Sequence, residues 1–219
     1  MSQGRIIVIS GPSAVGKGTV VKRVMELRPD MRLSISATSR KRAENETEGV
    51  DYYYISPEEF QRRIDTGYFL EYAGKFDNRY GTPKQFVLDT IAAGHDVILE
   101  IDPQGKNRVT DIYPDAISVF LLPPSNRELI RRIMSRDRDT EEQKLKRITR
   151  ANNDIAEAPK YDYCFVNDDL DLTVQRMCDV LDGKPAESDI GMLEKIQSEF
   201  ADTQELEKII EEYKEAHSK

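Results

Sequence analysis

The chain has 219 residues, of which 38% are hydrophobic and 33% are charged, and its formal net charge is −8. This length suits a single α/β domain with small insertions better than two independent domains. The acidic balance argues against a nucleic-acid surface, which needs clustered positive charge, and no apolar run approaches the roughly 20 residues that span a membrane.

The first ten residues, MSQGRIIVIS, lead straight into a β-branched run, without the longer apolar segment of a secretory signal. We therefore expect a cytoplasmic protein. Cys164 and Cys178 lie neither in a CxxC pair nor near a histidine. Free buried thiols are expected here, rather than a disulfide framework or a zinc site.

Four short apolar runs have the length and β-branched content of buried strands, at residues 5–10, 96–101, 116–122 and 161–166. Helical patterns occur between and after them, at residues 18–28, 83–94, 104–112, 126–136 and 169–182. This alternation predicts an α/β fold with a parallel central sheet that is covered by helices on both faces.

Three segments depart from this alternation. Residues 33–82 are rich in tyrosine and turn residues and predict an inserted lobe, while the charged stretch 135–150 suits a mobile lid. Residues 183–219 begin as a linker and continue with apolar positions at helical spacing, so we expect a helical extension that packs on the same protein. The main domain then covers residues 1–182, with its core at 1–32, 83–134 and 151–182.

The sequence after the first strand has the spacing of a phosphate-binding loop. Gly11, Gly16 and Lys17 follow the pattern GxxxxGK between a predicted strand and a predicted helix. Backbone N–H groups and a helix amino end can there point at one anion, while the lysine reaches the outer phosphates of a nucleotide. The alternative is a glycine-rich turn without a ligand. The candidate nucleotide contacts are Gly11, Pro12, Ser13, Ala14, Val15, Gly16, Lys17, Gly18 and Thr19.

A second group of polar residues has the chemistry to bind a guanine nucleotide. The carboxylate of Glu71 can accept from the two adjacent donors of guanine, and hydroxyls at Ser36 and Thr82 can complement the base. A monophosphate calls for charge-assisted and phenolic hydrogen bonds. The alternative for the tyrosines is a half-buried packing role. The candidates for the phosphate are Arg40, Tyr52 and Tyr80.

Two acidic residues, Glu100 and Asp102, close the predicted strand 96–101 and project to one face at its carboxyl end. Ligands collect at this end of open α/β sheets, where carboxylates orient hydrated Mg²⁺ or a substrate. The alternative is a carboxylate that caps the following helix. Thr19 is a further candidate for contact with the metal, which we expect to be held mainly through water and phosphates.

Basic residues flank the predicted lid. Arg132 and Arg136 lie four apart on a predicted helix and share a face, and Arg147 follows on the far side of the lid. Basic clusters are often only a solvated surface. Next to a phosphate loop, however, such arginines can balance the charge that spreads over a transferring phosphoryl group.

The chain resembles the guanylate kinase family along nearly its whole length up to about residue 182. GPSAVGKGT is similar to the family's phosphate loop, and SISATSRKRAENETEGVDYYY resembles its SxSxTTRxxRxGExxGxDYxF signature. FLEYAGKFDNRYGTP, VILEIDPQG, FLLPPS and VNDDLD also occur in the family's order and spacing. The resemblance implies a three-layer P-loop NTPase fold in which residues 33–82 form a GMP-binding lobe and the lid closes over ATP.

The resemblance also implies an activity, the transfer of the γ-phosphoryl group of ATP to GMP with Mg²⁺ as cofactor. By similarity, Glu100 and Asp102 join the GMP site and Asn167 lies near adenine. No general base is required, because the GMP phosphate oxygen is already ionised at neutral pH. The expected ligands are ATP and GMP, in a monomer or homodimer, with no nucleic-acid polymer and no membrane as partner. The catalytic candidates are Lys17, Arg40, Arg132, Arg136 and Arg147.

The sequence departs from the family pattern in the loop, the lobe and the lid. Ala43 aligns with the second arginine of the family's TRxxR pair, and glycines are replaced at Ala14, Asn45 and Asp137. If the adjacent Arg42 does not substitute, GMP binding should lose one charged hydrogen bond, worth about 1.5 to 3 kcal/mol. Two other functions stay open, a noncatalytic guanylate-kinase-like binding module and a kinase for another nucleoside monophosphate. The intact phosphate loop argues against the first.

Overall fold

The computed structural model describes residues 3–75, 78–135, 139–186, 189, 208 and 210–212. Strands and helices alternate along most of this length. In chain order they are β1 (Ile6–Ser10), α1 (Lys17–Leu27), β2 (Arg32–Leu33), β3 (Ala37–Thr38), β4 (Tyr53–Tyr54), α2 (Pro57–Asp65), β5 (Phe69–Lys75), β6 (Asn78–Pro83), α3 (Lys84–Ala92), β7 (Val97–Glu100), α4 (Pro103–Ile112), β8 (Ile117–Leu122), α5 (Asn126–Met134), α6 (Glu141–Ala156), a 3₁₀ turn (Ala158–Lys160), β9 (Tyr163–Val166) and α7 (Leu170–Leu181).

The four strands and five helices predicted from the sequence are all present, and their ends fall within two residues of those expected. Strand β7 pairs in parallel with β1 and with β2, and β8 pairs in parallel with β9. The α/β fold with a parallel central sheet is therefore confirmed. The chain forms two compact units. The first comprises Met1–Ile9 and Met25–Ser118, and the second comprises Ser10–Val24 and Val119–Lys219.

The parallel strands of the first unit are held by a dry core. In β1, Ile6 lies opposite Val97 of β7, and both side chains belong to a buried cluster that α3 and α4 complete. The alternate residues Ile7 and Ile9 are also fully buried. Burial of both faces explains why β1 reads as a continuous apolar run instead of an alternating one.

The predicted lobe 33–82 contains a second sheet, with strand order β4-β3-β6-β5. Strand β6 pairs antiparallel with both β3 and β5. Helix α2 is anchored by Phe60, whose ring stacks on Phe69 with centroids 4.7 Å apart. Because β3 covers only Ala37–Thr38, the alternating hydroxyls of Ser34, Ser36 and Thr38 do not lie on one continuous strand.

The second unit contains a helix that the sequence patterns did not predict. Helix α6 begins after Thr140, which forms a capping box with Gln143, and it continues past residue 150, the predicted end of the lid. Its buried apolar residues pack into one core cluster with β8, α5 and β9. The inward-facing residues of α6 are Ile148, Ala151, Asp154 and Ile155.

A few described residues of the predicted extension 183–219 contact the rest of the second unit, to which they belong. Ile210 packs against the core cluster that α5 and α6 share, and Glu212 lies 3.1 Å from Nη2 of Arg127 on α5. Asp189 is buried, 3.8 Å from Nε of Arg176 on α7. These contacts agree with an extension that packs on the same protein. Most of the extension lies outside the described residues.

Both cysteines are buried free thiols, as expected. Burial raises the pKa of the Cys164 thiol to about 12, which keeps it protonated and unreactive at neutral pH. Within the described ranges, no helix combines the length and the apolar composition that a membrane crossing requires.

Candidate active site

The loop between β1 and α1 forms a tight backbone cradle. Gly11, Ala14 and Gly16 have positive φ angles of 152°, 67° and 100°. A Cβ at residue 11 would lie 2.5 Å from the carbonyl oxygen of Leu121, and a Cβ at residue 16 would lie 2.8 Å from Nδ2 of Asn167. Both glycines are therefore required for close packing as well as for the backbone conformation.

The ammonium group of Lys17 lies on this loop. Lys17 is the first residue of α1, and its Nζ donates to the carbonyl oxygens of Gly11 at 2.7 Å and Pro12 at 3.2 Å. The helix amino end and the ammonium thus bring positive charge to the same loop. Gly18 and Thr19 follow in the first turn of α1, where both are exposed. A phosphate is a stronger acceptor than a peptide carbonyl, so a bound nucleotide should draw Nζ onto itself.

Arg132 of α5 reaches the same loop while paired with an acid. Its Nε donates to Oε1 of Glu128 at 2.7 Å, and its Nη1 lies 3.4 Å from the carbonyl oxygen of Val15. Hydrogen bonds from Arg131 and Arg132 lower the pKa of Glu128 to about 2. Glu128 is therefore ionised at neutral pH and fixes the orientation of the Arg132 guanidinium.

Arg147 of α6 makes a similar pair of contacts. Its Nε lies 2.9 Å from Oδ2 of Asp139, whose side chain is 9% exposed, and its Nη1 donates to Oγ of Ser13 at 3.2 Å. Two predicted lid arginines thus contact the loop within the second unit. Arg136 and Asp137 lie outside the described residues.

Asn167 also contacts the loop. It follows the last residue of β9, and its backbone N–H donates to the carbonyl oxygen of Leu122 at 2.8 Å. Its side chain is buried, and Nδ2 donates to the carbonyl oxygen of Val15 at 2.8 Å. The residue expected near adenine therefore has a direct hydrogen bond to the backbone of the phosphate loop.

In the first unit, the candidate base-binding acid is buried. Glu71 is 5% exposed, and Thr82 donates from Oγ1 to its Oε1 at 2.6 Å across the antiparallel β5–β6 pair. Burial raises the pKa of Glu71 to about 7, and the negative charge of Asp102 adds to this rise. A Cβ on Gly105 would lie 2.6 Å from Oε2, so the absence of a side chain at residue 105 makes room for the carboxylate.

The two strand-end acids have different surroundings. Asp102 is the N-cap of α4 and accepts from the N–H of Gly105 at 2.9 Å, which is the helix-capping role considered above. Glu100 is half-buried at the end of β7. Burial of Tyr52, with the charge of Glu100, raises the pKa of the Tyr52 phenol, so this hydroxyl stays protonated as a donor.

The candidate phosphate-binding residues of the lobe are grouped around Arg40. Its Nη1 and Nη2 donate to the two oxygens of Glu46 at 2.9 and 2.8 Å. Oε2 of Glu46 also accepts from the Tyr54 hydroxyl at 2.8 Å and from the Ala43 N–H at 3.0 Å. The hydrogen bond from Arg40 is the main cause that lowers the pKa of Glu46 to about 2. Arg42 is exposed and donates to the carbonyl oxygen of residue 46 at 3.0 Å.

Aromatic rings surround this arginine. The Tyr52 ring lies 5.6 Å from that of Tyr80 and 5.4 Å from the Arg40 guanidinium carbon, and Glu46 together with Tyr80 raises the pKa of Arg40. Arg40, Tyr52 and Tyr80 thus lie together, in an arrangement that also packs the two rings on one another. Ser36 is half-buried, and its backbone carbonyl oxygen accepts from the N–H of Tyr53 at 2.9 Å.

Three acids, one in the first unit and two in the second, were not predicted from the sequence. Each is paired with a candidate catalytic arginine. The spacing of Glu128 and Arg132, four residues apart on one helix, was a readable signal for such a pair. The other two acids lie in loops, where no periodicity points to a partner. The three acids are Glu46, Glu128 and Asp139.

Each of the two units carries oxygen atoms of the kind that bind Mg²⁺. No three His, Cys, Asp or Glu side chains converge as a possible metal site within the part of the chain that the structure describes. Mg²⁺ needs no such cage, because it keeps several waters and binds through substrate phosphates with few protein oxygens. Thr19 in the second unit, and Glu100 and Asp102 in the first, offer such oxygen atoms.

A family model of guanylate kinase matches residues 3–184. A guanylate kinase of Caldanaerobacter subterraneus subsp. tengcongensis is 45% identical over 175 residues, which are 80% of this chain and 85% of that protein. One of Thermosynechococcus vestitus is 46% identical over 171 residues, 78% of this chain and 90% of the relative. The crystal structure of guanylate kinase from Anaplasma phagocytophilum superposes with a TM-score of 0.71 at 31% identity, covering 91% of this chain and 97% of that one.

Proposed function

Because the chain belongs to the guanylate kinase family, we propose that it transfers the γ-phosphoryl group of ATP to GMP, giving ADP and GDP. One observation carries this proposal. Lys17, Arg132 and Arg147 all contact the backbone or a side chain of one phosphate loop, inside one compact unit. A noncatalytic binding module has no need for three cations on a nucleotide cradle.

On the donor side, we assign the loop residues 11–19 to the phosphates of ATP. Lys17 would exchange its carbonyl partners for the outer phosphates, and Arg132 and Arg147 would share the charge of the transferring group. Glu128 and Asp139 hold these two arginines in fixed orientations before the nucleotide binds. The remaining candidate contact to ATP is Asn167.

On the acceptor side, we assign Glu71 to the guanine base and Arg40 to the GMP phosphate. An ionised Glu71 would accept hydrogen bonds from the two adjacent guanine donors. The hydrogen bond of 2.6 Å from Thr82 to Oε1 holds the Glu71 carboxylate in place. Tyr52 and Tyr80 would donate to the phosphate from their phenol hydroxyls. Of the remaining candidates, Ser36, Glu100 and Asp102 would complete the site.

The chemistry requires no proton transfer from the protein. An ionised oxygen of GMP attacks the γ-phosphorus, and the bond from this phosphorus to the β–γ bridging oxygen breaks in line, so that ADP leaves with the electron pair. Bound Mg²⁺ supplies charge neutralisation and orientation of the ATP phosphates. Thr19, Glu100 or Asp102 would hold it, mainly through water. The arginines supply positive charge where negative charge spreads.

Incubation of the purified protein with ATP, Mg²⁺ and a panel of acceptors (GMP, dGMP, AMP, UMP and CMP) tests this function. Coupled detection of ADP should show turnover with GMP well above that with AMP, UMP or CMP, and chromatography should identify GDP. Lys17→Met should lower the rate by orders of magnitude while leaving the fold intact. Turnover that does not depend on GMP would overturn the proposal. Preference for another monophosphate would instead favour the alternative acceptor.

The proposed function also bears on where the protein acts and on its partners. We propose a cytoplasmic enzyme, since its substrates are cytoplasmic nucleotides, and a monomer or homodimer. Neither a nucleic-acid polymer nor a membrane is proposed as a partner, in keeping with the net charge of −8.

A further inference from the structure

The side chain of Asn167 lies behind the phosphate loop. It is 8% exposed, and its backbone is fixed at the end of β9 by the hydrogen bond to Leu122. Its Nδ2 is 2.8 Å from the carbonyl oxygen of Val15 and would be 2.8 Å from a Cβ on residue 16. The amide of Asn167 therefore fills the space that the missing side chain of Gly16 leaves.

The chemistry of this contact fixes the orientation of the amide. A carbonyl oxygen can only accept, so the group that faces Val15 must be the NH₂ of Asn167. The Val15 side chain is itself fully buried, which also anchors this residue. Arg132 adds a second, longer contact of 3.4 Å to the same carbonyl oxygen. Groups from β9 and α5 thus converge on one peptide of the loop.

Pinning this carbonyl has a consequence for the next N–H group. The described chain contains no cis peptide bond, and in a planar trans peptide the C=O and N–H point in opposite directions. Because the Val15 carbonyl points at Asn167, the N–H of Gly16 must point away from Asn167. In a phosphate loop, the backbone N–H groups are the ligands of the anion.

We propose that Asn167 is a positioning residue that aims the Gly16 N–H at the phosphates of the nucleotide, and that it contributes to ATP binding through the phosphate loop. The inference rests on the proposed function, because it assumes that the loop binds ATP. It assigns the side chain a task that is independent of the base. The affinity for a ligand with phosphates but no base should therefore depend on Asn167 as strongly as the affinity for ATP does.

Calorimetric titration with ATP, inorganic tripolyphosphate and GMP tests this role in the full chain. Asn167→Leu removes the donor at similar size and without adding charge. We expect it to weaken the binding of ATP and of tripolyphosphate by the same factor, about tenfold, the ratio for one lost hydrogen bond. GMP affinity should stay within about twofold. The Gly16 amide signal in NMR spectra should shift in the free protein.

A matched control separates positioning from stability. Thr173 is 2% exposed and donates to the carbonyl oxygens of Val166 and Asp169, close to Asn167 in the fold. Thr173→Val should lower the melting temperature without changing the affinity for tripolyphosphate. Asn167→Ala provides a second variant if the leucine does not fold.

The outcomes are distinct. Weaker binding of ATP with unchanged binding of tripolyphosphate would place Asn167 at the base and overturn the inference. If Thr173→Val lost as much affinity for tripolyphosphate as Asn167→Leu, the loss would be explained by general destabilisation, and the inference would also be overturned. If wild type binds tripolyphosphate but does not phosphorylate GMP, the proposed function fails while the inference about the loop stands.

Discussion

The guanidinium of Arg40 is held by both carboxylate oxygens of Glu46, at 2.9 and 2.8 Å. The same carboxylate accepts from Tyr54 and from the main chain of Ala43, where the family pattern has a second arginine. One acid thus ties together the segment 40–46. Arg42 donates to the carbonyl oxygen of residue 46, and Arg40 is the guanidinium that we propose for the GMP phosphate.

Glu46→Gln should raise the KM for GMP about tenfold, because one acceptor oxygen becomes a donor that faces the N–H groups of Arg40 and Ala43. The KM for ATP should not change. Glu44→Gln removes the same charge from an exposed neighbour and should leave both constants as they are. Tighter binding of GMP by Glu46→Gln would mean that Glu46 competes with the phosphate instead of positioning Arg40.

The binding of guanosine should depend on pH through Glu71. The raised pKa of about 7 means that the carboxyl is mostly protonated below neutrality, whereas guanine needs the ionised form. Affinity should therefore rise about tenfold per pH unit up to roughly pH 7 and level off above it. Guanosine is the ligand of choice, because it lacks a phosphate that titrates in the same range.

Calorimetry between pH 5 and 8 checks this dependence. Glu71→Gln cannot ionise, so its weaker binding should be flat over the same range. A wild-type affinity that does not vary between pH 5 and 7 would show that Glu71 either stays ionised or does not touch the base.

Two alanines that contact the same core cluster should respond in opposite ways to replacement by glycine. Ala14 has φ at +67°, a conformation that costs a residue with a Cβ roughly 1 to 2 kcal/mol, whereas Ala151 lies in helix α6. Ala14→Gly should raise the free energy of unfolding by up to about 1 kcal/mol, after the higher entropy of the unfolded glycine chain is subtracted. Ala151→Gly should lower it by about 1 kcal/mol or more. Urea unfolding of both variants measures the two signs, and a loss of similar size in both would argue against strain at Ala14.

The extension should stabilise the second unit through Ile210. Ile210→Asp places a charge against the apolar cluster that α5 and α6 share, and should cost about 1 to 2 kcal/mol of unfolding free energy. Lys208→Asp introduces the same side chain at an exposed position and should cost much less. Thermal unfolding measures both, and equal melting temperatures for the two variants would show that the extension does not depend on this contact.

The phosphate loop and the grouping of Glu71 with Thr82 could be anticipated because each depends on local information. GxxxxGK between a strand and a helix is specific in one short segment, and Glu71 and Thr82 fall on adjacent strands of one hairpin. Helix α6 was missed because its many charges suggested a lid. The signal was present, since Thr140 and Gln143 form a capping box and Ile148, Ala151 and Ile155 follow at helical spacing.

Contacts made through the fold could not be anticipated in the same way. Glu46 accepts from Arg40 through a turn without periodicity, and the amide of Asn167 meets a carbonyl 152 residues earlier in the chain. For Asp102, the alternative role of helix cap is the one observed. A carboxylate before a Pro-x-Gly segment caps the helix irrespective of any ligand.

Gly105, a residue outside the lobe, constrains the position of the Glu71 carboxylate, which we propose as the contact to the base. Inside α4, alanine would favour the helix by about 1 kcal/mol over glycine, yet its methyl group would collide with Oε2 of Glu71. In a saturation library grown under selection for GDP synthesis, residue 105 should therefore tolerate almost nothing but glycine, although substitutions there improve the helix itself. Substitution of Gly105 is therefore a way to move the Glu71 carboxylate when an enzyme for a different purine is designed.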